Sequence, residues 1–120
     1  MAVPHPPEPV KVFIAVLWSD AAALPDLYAR LADWGRVEFE GPDHPLDLTN
    51  YYEAEMGAAL KRRLISFEPL RPPDELAAAK LACNRIEEEL GAEGRRRVNL
   101  DVGYLDHNKI VLASVKAAGQ

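Results

Sequence analysis

The chain has 120 residues, of which 48% are hydrophobic and 28% charged, and its formal net charge is −5. This length suffices for one hydrophobic core and is short for two, so we expect a single domain. The acidic balance argues against a protein that wraps duplex DNA, and the absence of an apolar run of roughly 18 residues argues against a membrane span.

The charge is unevenly distributed along the chain. Residues 1–60 hold 3 Lys and Arg against 10 Asp and Glu, whereas residues 61–120 hold 11 against 9. Most of this basic character lies in two short runs, Lys61-Arg62-Arg63 and Arg95-Arg96-Arg97. Compact basic runs on an acidic chain favour a small anionic ligand over an extended polyanion.

Residues 1–9 contain four prolines and show no hydrophobic periodicity. We expect them to form an extended leader, and residues 10–120 to form the domain. The leader lacks the basic start and apolar stretch of a secretory signal. The single cysteine, Cys83, cannot form an intramolecular disulfide. Both observations favour a cytoplasmic protein.

The first elements in chain order are predicted to be a strand, a helix and a second strand. Residues 10–18 are apolar on both alternating faces, which is typical of a central strand covered on both sides. Ser19-Asp20 offers an N-cap for a helix over residues 21–34, where leucines and aromatic residues recur at helical spacing. Residues 36–40 alternate as a half-buried strand does.

The middle of the chain is less regular. Residues 41–50 combine prolines, a glycine and several Asp and Asn residues, which predicts a long loop. Residues 51–60 are compatible with a short helix capped by Thr49 or Asn50. Alternation returns over residues 62–70 and predicts a strand.

The strongest helix signal follows Pro72-Pro73-Asp74, since proline and acidic residues suit a first helical turn. Its apolar stripe comprises Leu76, Ala79, Cys83, Ile86 and Leu90. Residues 97–100 and 109–115 then predict two strands separated by a turn at residues 101–108. The whole order predicts an α+β domain of the ferredoxin-like split βαβ type, with an antiparallel or mixed sheet packed on two main helices.

Several stretches form a joint pattern over nearly the whole chain, namely VKVF at 10–13, NYYEAEMG at 50–57, LKRR at 60–63, RRVNLD at 96–101 and GYL at 103–105. This pattern resembles a bacterial family named domain of unknown function 4416, and the resemblance implies no particular activity. Val102 stands where the family more often has proline. Family members continue after Lys116 through a further strand pair, so the resemblance implies either a shortened member or a fragment.

The cationic residues Arg63, Arg97 and Lys109 are candidates to converge on a phosphate or carboxylate. Asn99 and Asp101 would orient that ligand. The alternative is that the basic side chains are solvated at strand edges, where they discourage edge-to-edge pairing.

Tyr51 and Tyr52 precede the predicted short helix and are candidates to cover the ligand by stacking on a base or ring. The alternative is that they fill the core and extend their hydroxyl groups to water. A metal site is a further possibility, in which Glu53, Glu55 and Asp101 would carry Mg²⁺. Against it, no known ligand spacing is present, and Glu53 suits a helix cap.

Three functional hypotheses follow from the sequence. The first is a domain that binds a small anionic, phosphate-bearing ligand or nucleotide without a cofactor. The second is a metal-dependent phosphoryl or nucleotidyl transferase or hydrolase. The third is a protein-interaction module, because residues 109–115 form an apolar terminal strand whose exposed edge would promote self-association.

Overall fold

The computed structural model describes residues 8–45, 53–56, 59–106 and 109–113, and the elements named below belong to these ranges. The strands are β1 (Val10–Trp18), β2 (Val37–Glu40), β3 (His44–Pro45), β4 (Lys61–Arg71), β5 (Val98–Leu105) and β6 (Ile110–Leu112), and the α-helices are α1 (Leu24–Leu31), α2 (Glu53–Met56) and α3 (Leu76–Leu90).

The described strands form one antiparallel sheet in the order β2-β4-β1-β5-β6, with β3 pairing to β4. The α+β class is therefore confirmed. The sheet is larger than a simple split βαβ unit, because β3 and β6 extend it. β1 lies in the middle of the sheet, between β4 and β5. This central position agrees with its apolar character on both faces.

The two faces of the sheet are covered differently. The helix face carries Val12, Ile14 and Val16 of β1, which pack with buried residues of α1 and α3 in the main core. The groove face carries the alternate residues of β1, which are Phe13, Ala15 and Leu17. In the described part of the chain, a small cluster of Leu17, Met56 and Leu60 covers one end of the groove face.

The predicted first helix is present but composite. A 3₁₀ turn at Ala21–Ala23 precedes α1, and a second at Ala32–Trp34 follows it. Asp20 caps the start, since its side chain accepts a hydrogen bond of 3.0 Å from the backbone N–H of Ala22. The α-helix begins only at Leu24 because Pro25, which lacks a backbone N–H, suits a first turn.

The predicted second main helix is confirmed as α3, preceded by a 3₁₀ turn at Pro73–Glu75. Cys83, Ile86 and Leu90 of its predicted stripe are buried in the main core. Burial raises the pKa of the Cys83 thiol to about 12. At this pKa the thiolate is scarce at neutral pH, so Cys83 is a packing residue and not a nucleophile.

The predicted turn at residues 101–108 is wrong over its first half, because β5 continues to Leu105. Gly103 lies within the predicted turn, but in the structure it lies opposite Phe13 on β1. A glycine here lets the Phe13 ring lie against the β5 backbone, so the residue serves close packing within a strand. The final strand is confirmed over Ile110–Leu112.

The structure also corrects two secondary-structure predictions in the middle of the chain. The predicted loop over residues 41–50 contains the short strand β3, whose His44 pairs with Arg62. Proline is tolerated at the second position of β3 because the strand lies at the sheet edge. The predicted helix over residues 51–60 is present only as the four residues of α2 in the described ranges.

The chain outside these elements adds little to the description. Glu8 and Pro9 are exposed ahead of β1, and the rest of the predicted leader lies outside the described residues. None of the helices in the described ranges has the length and apolar character needed to cross a membrane.

Candidate functional site

Arg63 lies on the helix face, opposite Val16 of β1. Its Nε and Nη2 atoms donate to the two carboxylate oxygens of Asp43 at 2.6 and 3.0 Å, and its Nη1 donates to the Tyr28 hydroxyl at 2.8 Å. The guanidinium carbon lies 5.0 Å from the centre of the Trp18 ring. These hydrogen bonds lower the pKa of Asp43. The positive charge of Arg63 is therefore paired with Asp43 within the protein.

Arg97 and Lys109 also lie apart from each other. Arg97 Nη2 donates to Asp20 Oδ2 at 3.2 Å, beside the start of the first helical segment. Lys109 lies in the connection between β5 and β6, where its backbone N–H donates to Asp106 Oδ1 at 2.8 Å. Since a strand rises about 3.3 Å per residue, this end of β5 lies roughly 20 Å from Asn99. The structure does not bring Arg63, Arg97 and Lys109 together.

Asn99 and Asp101 do lie together, on the groove face of β5. They pair with Leu17 and Ala15 of β1, and Asn99 Nδ2 donates to Asp101 Oδ2 at 3.2 Å. The Asn99 side chain is buried, whereas that of Asp101 is 44% exposed. Lys80 Nζ lies 3.9 Å from Asp101 Oδ1, beyond hydrogen-bonding distance.

Arg96, and not Arg97, connects this pair to the rest of the protein. Its Nε and Nη2 atoms donate to the two oxygens of Glu55 at 2.9 Å each, and its backbone N–H donates to Glu55 Oε2 at 2.8 Å. Its Nη1 donates to Asn99 Oδ1 at 2.6 Å. The hydrogen bonds from Arg96 hold the pKa of Glu55 below its ordinary value. Arg96 thus fixes the orientation of the Asn99 amide.

Glu87 of α3 completes the polar network and was not predicted. Its Oε2 accepts a hydrogen bond of 2.7 Å from the backbone N–H of Leu100, while Lys80 Nζ donates to the Leu100 carbonyl at 3.0 Å. Burial raises the pKa of Glu87. Glu87 lies outside the apolar stripe predicted for α3, and nothing in the sequence indicated that a backbone amide of β5 lies beside it.

The residues considered for a metal do not fit one in this arrangement. Both oxygens of Glu55 accept hydrogen bonds from Arg96, and Asp101 is directed to Asn99 instead of to Glu55. The side chain of Glu53 lies outside the described residues. Within the described ranges, no three His, Cys, Asp or Glu side chains form a group that could hold a metal ion.

A groove of about 470 Å³ lies on the groove face beside Asn99 and Asp101. Its lining comprises Phe13, Ala15, Leu17, Arg62, Leu64, Asn99, Asp101, Leu105, Ile110 and Leu112. The strand register arranges two rows of three residues across its floor, Arg62 with Leu17 and Asn99, and Leu64 with Ala15 and Asp101. The groove therefore has an apolar floor with a cation on one wall and polar groups on the other.

Arg62 is the cation of this groove, and the sequence analysis did not select it. Its side chain is exposed, and among the described residues it forms no hydrogen bond or ion pair. Arg62 and Arg63 are indistinguishable by residue type. Only the pairing of Arg62 with Leu17 places the first on the groove face and the second on the helix face.

Two other hollows are less suited to a polar ligand. One of about 280 Å³ lies on the helix face between Trp34, Leu76 and Tyr104 and is mostly apolar. Its nearest cation, Arg71, donates to the Trp34 carbonyl at 3.3 Å. The other, of about 650 Å³, is an open hollow beside Pro9 and Lys109. Neither places an unpaired cation beside buried polar groups, so the Arg62 groove is the candidate site.

Tyr51 and Tyr52, predicted to cover the ligand, lie outside the described residues. They precede α2 in the chain. The last residue of α2, Met56, packs with Leu17 at the end of the groove floor. A role for the two tyrosines therefore stays a prediction.

Within the described ranges, the fold and groove define an α+β domain with one helix-covered sheet face and one largely open face. The profile of the family described as "Domain of unknown function (DUF4416)" matches residues 8–120, so the chain belongs to this family. The family prediction is confirmed over essentially the whole chain. Comparisons with curated proteins and with solved structures find no match.

Proposed function

We propose that this protein binds a small organic anion in the groove, with Arg62 as the residue that holds the negative charge. The observation that carries the proposal is the exposed guanidinium of Arg62, which has no partner in the described part of the chain and lies beside an apolar floor. Guanidinium groups recognise carboxylate and phosphate through paired, charge-assisted hydrogen bonds.

The shape and lining of the groove support a ligand with an apolar or planar body. Its volume of about 470 Å³ falls within the range of small-molecule sites. Phe13, Ala15 and Leu64 supply the apolar surface, and Asn99 and Asp101 supply the few placed polar groups that such sites use for orientation.

The other cations predicted from sequence have structural roles in this proposal. Arg63 and Arg97 are paired with Asp43 and Asp20, and they hold the strands that carry the groove. Lys109 lies at the far end of β5. Tyr51 and Tyr52 remain candidates to cover the ligand, because they directly precede α2.

The test is ligand-induced stabilisation measured by thermal unfolding with phosphate, phosphorylated sugars, nucleotides and carboxylates, each with and without Mg²⁺. Unmodified protein should be stabilised by about 2.7 kcal/mol at a ligand concentration of a hundred times the dissociation constant. Arg62→Met should abolish this stabilisation. Arg85→Met, which removes an exposed arginine from α3, is the matched control and should retain it.

Two outcomes count against the proposal. One is that no anion in the panel stabilises the unmodified protein. The other is that Arg62→Met keeps the same stabilisation as Arg85→Met. If stabilisation instead depends on Mg²⁺, the metal-dependent hypothesis is favoured over simple anion binding.

A protein-interaction function is the second candidate, favoured by exposed apolar residues on β6. Ile110 is 71% exposed and Leu112 is 56% exposed. Both lie on the groove face, since they pair with Leu105 and Gly103. Self-association through β6 predicts a concentration-dependent mass in sedimentation equilibrium, and Ile110→Lys should abolish it. A monomer at every concentration would argue against this candidate.

We also infer that the fold is ferredoxin-like, with β3 and β6 as additions. The inference is supported by the order β2-β4-β1-β5, in which each main helix connects two strands that have one antiparallel strand between them. An experimental structure in which β1 and β2 are neighbours would overturn it. A cytoplasmic location likewise remains a proposal, testable by cell fractionation.

A further inference from the structure

We infer that the ligand of the groove is a nucleoside monophosphate whose base is recognised by Asp101, with guanine preferred. The inference rests on the proposed anion site at Arg62 and adds the class of ligand. The two walls of the groove carry opposite charges, Arg62 on one and Asp101 on the other, and an apolar floor lies between them. A matching ligand has an anionic group at one end and hydrogen-bond donors at the other.

Asp101 retains acceptor capacity that no hydrogen bond from the described residues uses. Its Oδ2 accepts one hydrogen bond of 3.2 Å from Asn99, and Lys80 Nζ is 3.9 Å from Oδ1. An ionised carboxylate has two oxygens that act only as acceptors, with about four lone-pair positions between them. The side chain is 44% exposed toward the groove region, so a ligand can reach the remaining positions.

Guanine fits this carboxylate better than the other common bases. Its N1–H and N2–H groups are adjacent donors on one edge, and they can bind the two oxygens of a carboxylate together. Adenine and cytosine present one amino group beside a ring nitrogen that is an acceptor. That nitrogen would face a carboxylate oxygen, and two acceptors cannot form a hydrogen bond.

In this inference Asn99 also acts as a positioning residue for the Asp101 carboxylate. Its Oδ1 accepts from Arg96 at 2.6 Å and its Nδ2 donates to Asp101 at 3.2 Å, so both ends of the amide are engaged. Glu55 in turn fixes the Arg96 guanidinium through both of its oxygens. This series of hydrogen bonds holds the Asp101 carboxylate in one orientation before a ligand arrives, which lowers the cost of ordering on binding.

The floor beside Asp101 suits a planar ring. Ala15 lies in the same row as Asp101 and Leu64, and its small side chain lies between the larger Phe13 and Leu17 along β1. A base above Ala15 would have its edge at Asp101 and its faces against apolar groups.

The position of Arg62 then limits the number of phosphates. Arg62 lies one row away from Asp101 with β1 between them, which places their Cα atoms roughly 12 Å apart for ordinary sheet spacings. An arginine extended over Leu17 shortens that span to one that a nucleoside and a single phosphate can cross. The neighbouring Lys61 pairs with Trp18 and so belongs to the helix face. The groove thus offers one unpaired guanidinium within the described residues, which suits a monophosphate.

The experiment is isothermal titration calorimetry of the full chain with GMP, IMP, AMP and ribose 5-phosphate. GMP should bind about tenfold tighter than IMP, which lacks the N2 amino group, because one charge-assisted hydrogen bond is lost. AMP should bind more weakly than IMP. Asp101→Asn should reduce the preference for GMP over IMP to less than about threefold.

The outcomes separate this inference from the proposed function. If GMP, IMP and ribose 5-phosphate bind equally and Arg62→Met abolishes all of them, the anion site stands and the guanine inference fails. If none of the four compounds binds, the inference fails whatever other anions bind. If Asp101→Asn keeps the preference for GMP, recognition by Asp101 is overturned. The comparison of GMP with IMP on unmodified protein needs no variant, so it decides the inference even if Asp101→Asn fails to fold.

Discussion

The ring of Phe13 occupies the space that a side chain at position 103 would need. A Cβ atom built on Gly103 would lie 2.8 Å from Phe13 Cζ and closer still to the Val111 carbonyl oxygen. Gly103 pairs with Phe13 on one side and with Leu112 of β6 on the other. Glycine at this position therefore lets β6 join the sheet while Phe13 packs against β5.

We predict that Gly103→Ala destabilises the domain by about 1–3 kcal/mol, because the added methyl group must displace the Phe13 ring or the β6 backbone. The measurement is the free energy of unfolding from urea titration. Gly41→Ala is the matched control, since the nearest atoms to its added Cβ lie at 3.4 Å. Equal losses in the two variants would contradict the prediction.

Arg62 and Arg63 should differ in their effect on stability although they are adjacent. Arg63→Met removes the hydrogen bond to Tyr28 and the contact with the Trp18 ring, so we expect a loss of about 1–2 kcal/mol. Arg62→Met should change the free energy of unfolding by less than about 0.5 kcal/mol, as is usual at exposed positions. Chemical denaturation of both variants tests this, and a larger loss for Arg62→Met would reverse the assignment of faces.

Protonation of Glu55 should lower the stability of the folded protein in acid. Arg96 lowers the pKa of Glu55 below its ordinary value of 4.5, so the folded state binds this proton less readily than the unfolded state. The contribution of Glu55 is therefore complete above pH 4.5 and is lost as the pH falls through the lower folded pKa. Glu55→Gln should reduce stability at pH 7 and flatten this acid loss. Unfolding titrations at several pH values measure both effects, and an unchanged acid slope would count against the prediction.

Glu87 should have the opposite effect on the pH dependence of stability. Burial raises its pKa above 4.5, so the folded state binds this proton more readily than the unfolded state. The stability contributed by Glu87 is greatest below pH 4.5 and falls as the pH rises through the raised folded pKa. Glu87→Gln keeps an acceptor for the Leu100 N–H and should remove this fall. It should cost less stability at pH 7 than Glu55→Gln, and the reverse order would disprove the assignment.

Local sequence patterns predicted most of the fold. The period of two in β1 and the period of about 3.6 in α3 both follow from which residues are apolar, and these patterns specify a buried strand and a helix without knowledge of their neighbours. The signals failed where a distant contact decides the conformation. Gly103 favours a turn by residue type alone. Only its position opposite Phe13 shows that it lies within a strand.

The candidate site was less predictable for the same physical reason. Asn99 and Asp101 were predicted to lie on one face of a strand, because residues two apart on a strand share a face, and the structure places them side by side. The choice between Arg62 and Arg63 depends on how β4 aligns with β1, and a shift of one residue exchanges the two faces. The choice between Arg96 and Arg97 depends on the position of Glu55, which is 41 residues away in sequence.

Lys80 and Glu87 have a consequence for how α3 is placed on the sheet. They are seven residues apart, which is about two helical turns or roughly 10.5 Å, and they bind the carbonyl and the N–H of the same residue, Leu100. The apolar stripe of α3 includes the small residues Ala79 and Cys83, whose packing alone would resist sliding only weakly. A displacement of α3 by one turn would leave both backbone groups of Leu100 without their partners. The hydrogen bonds that Lys80 and Glu87 form with Leu100 therefore favour one axial position of α3 on the sheet.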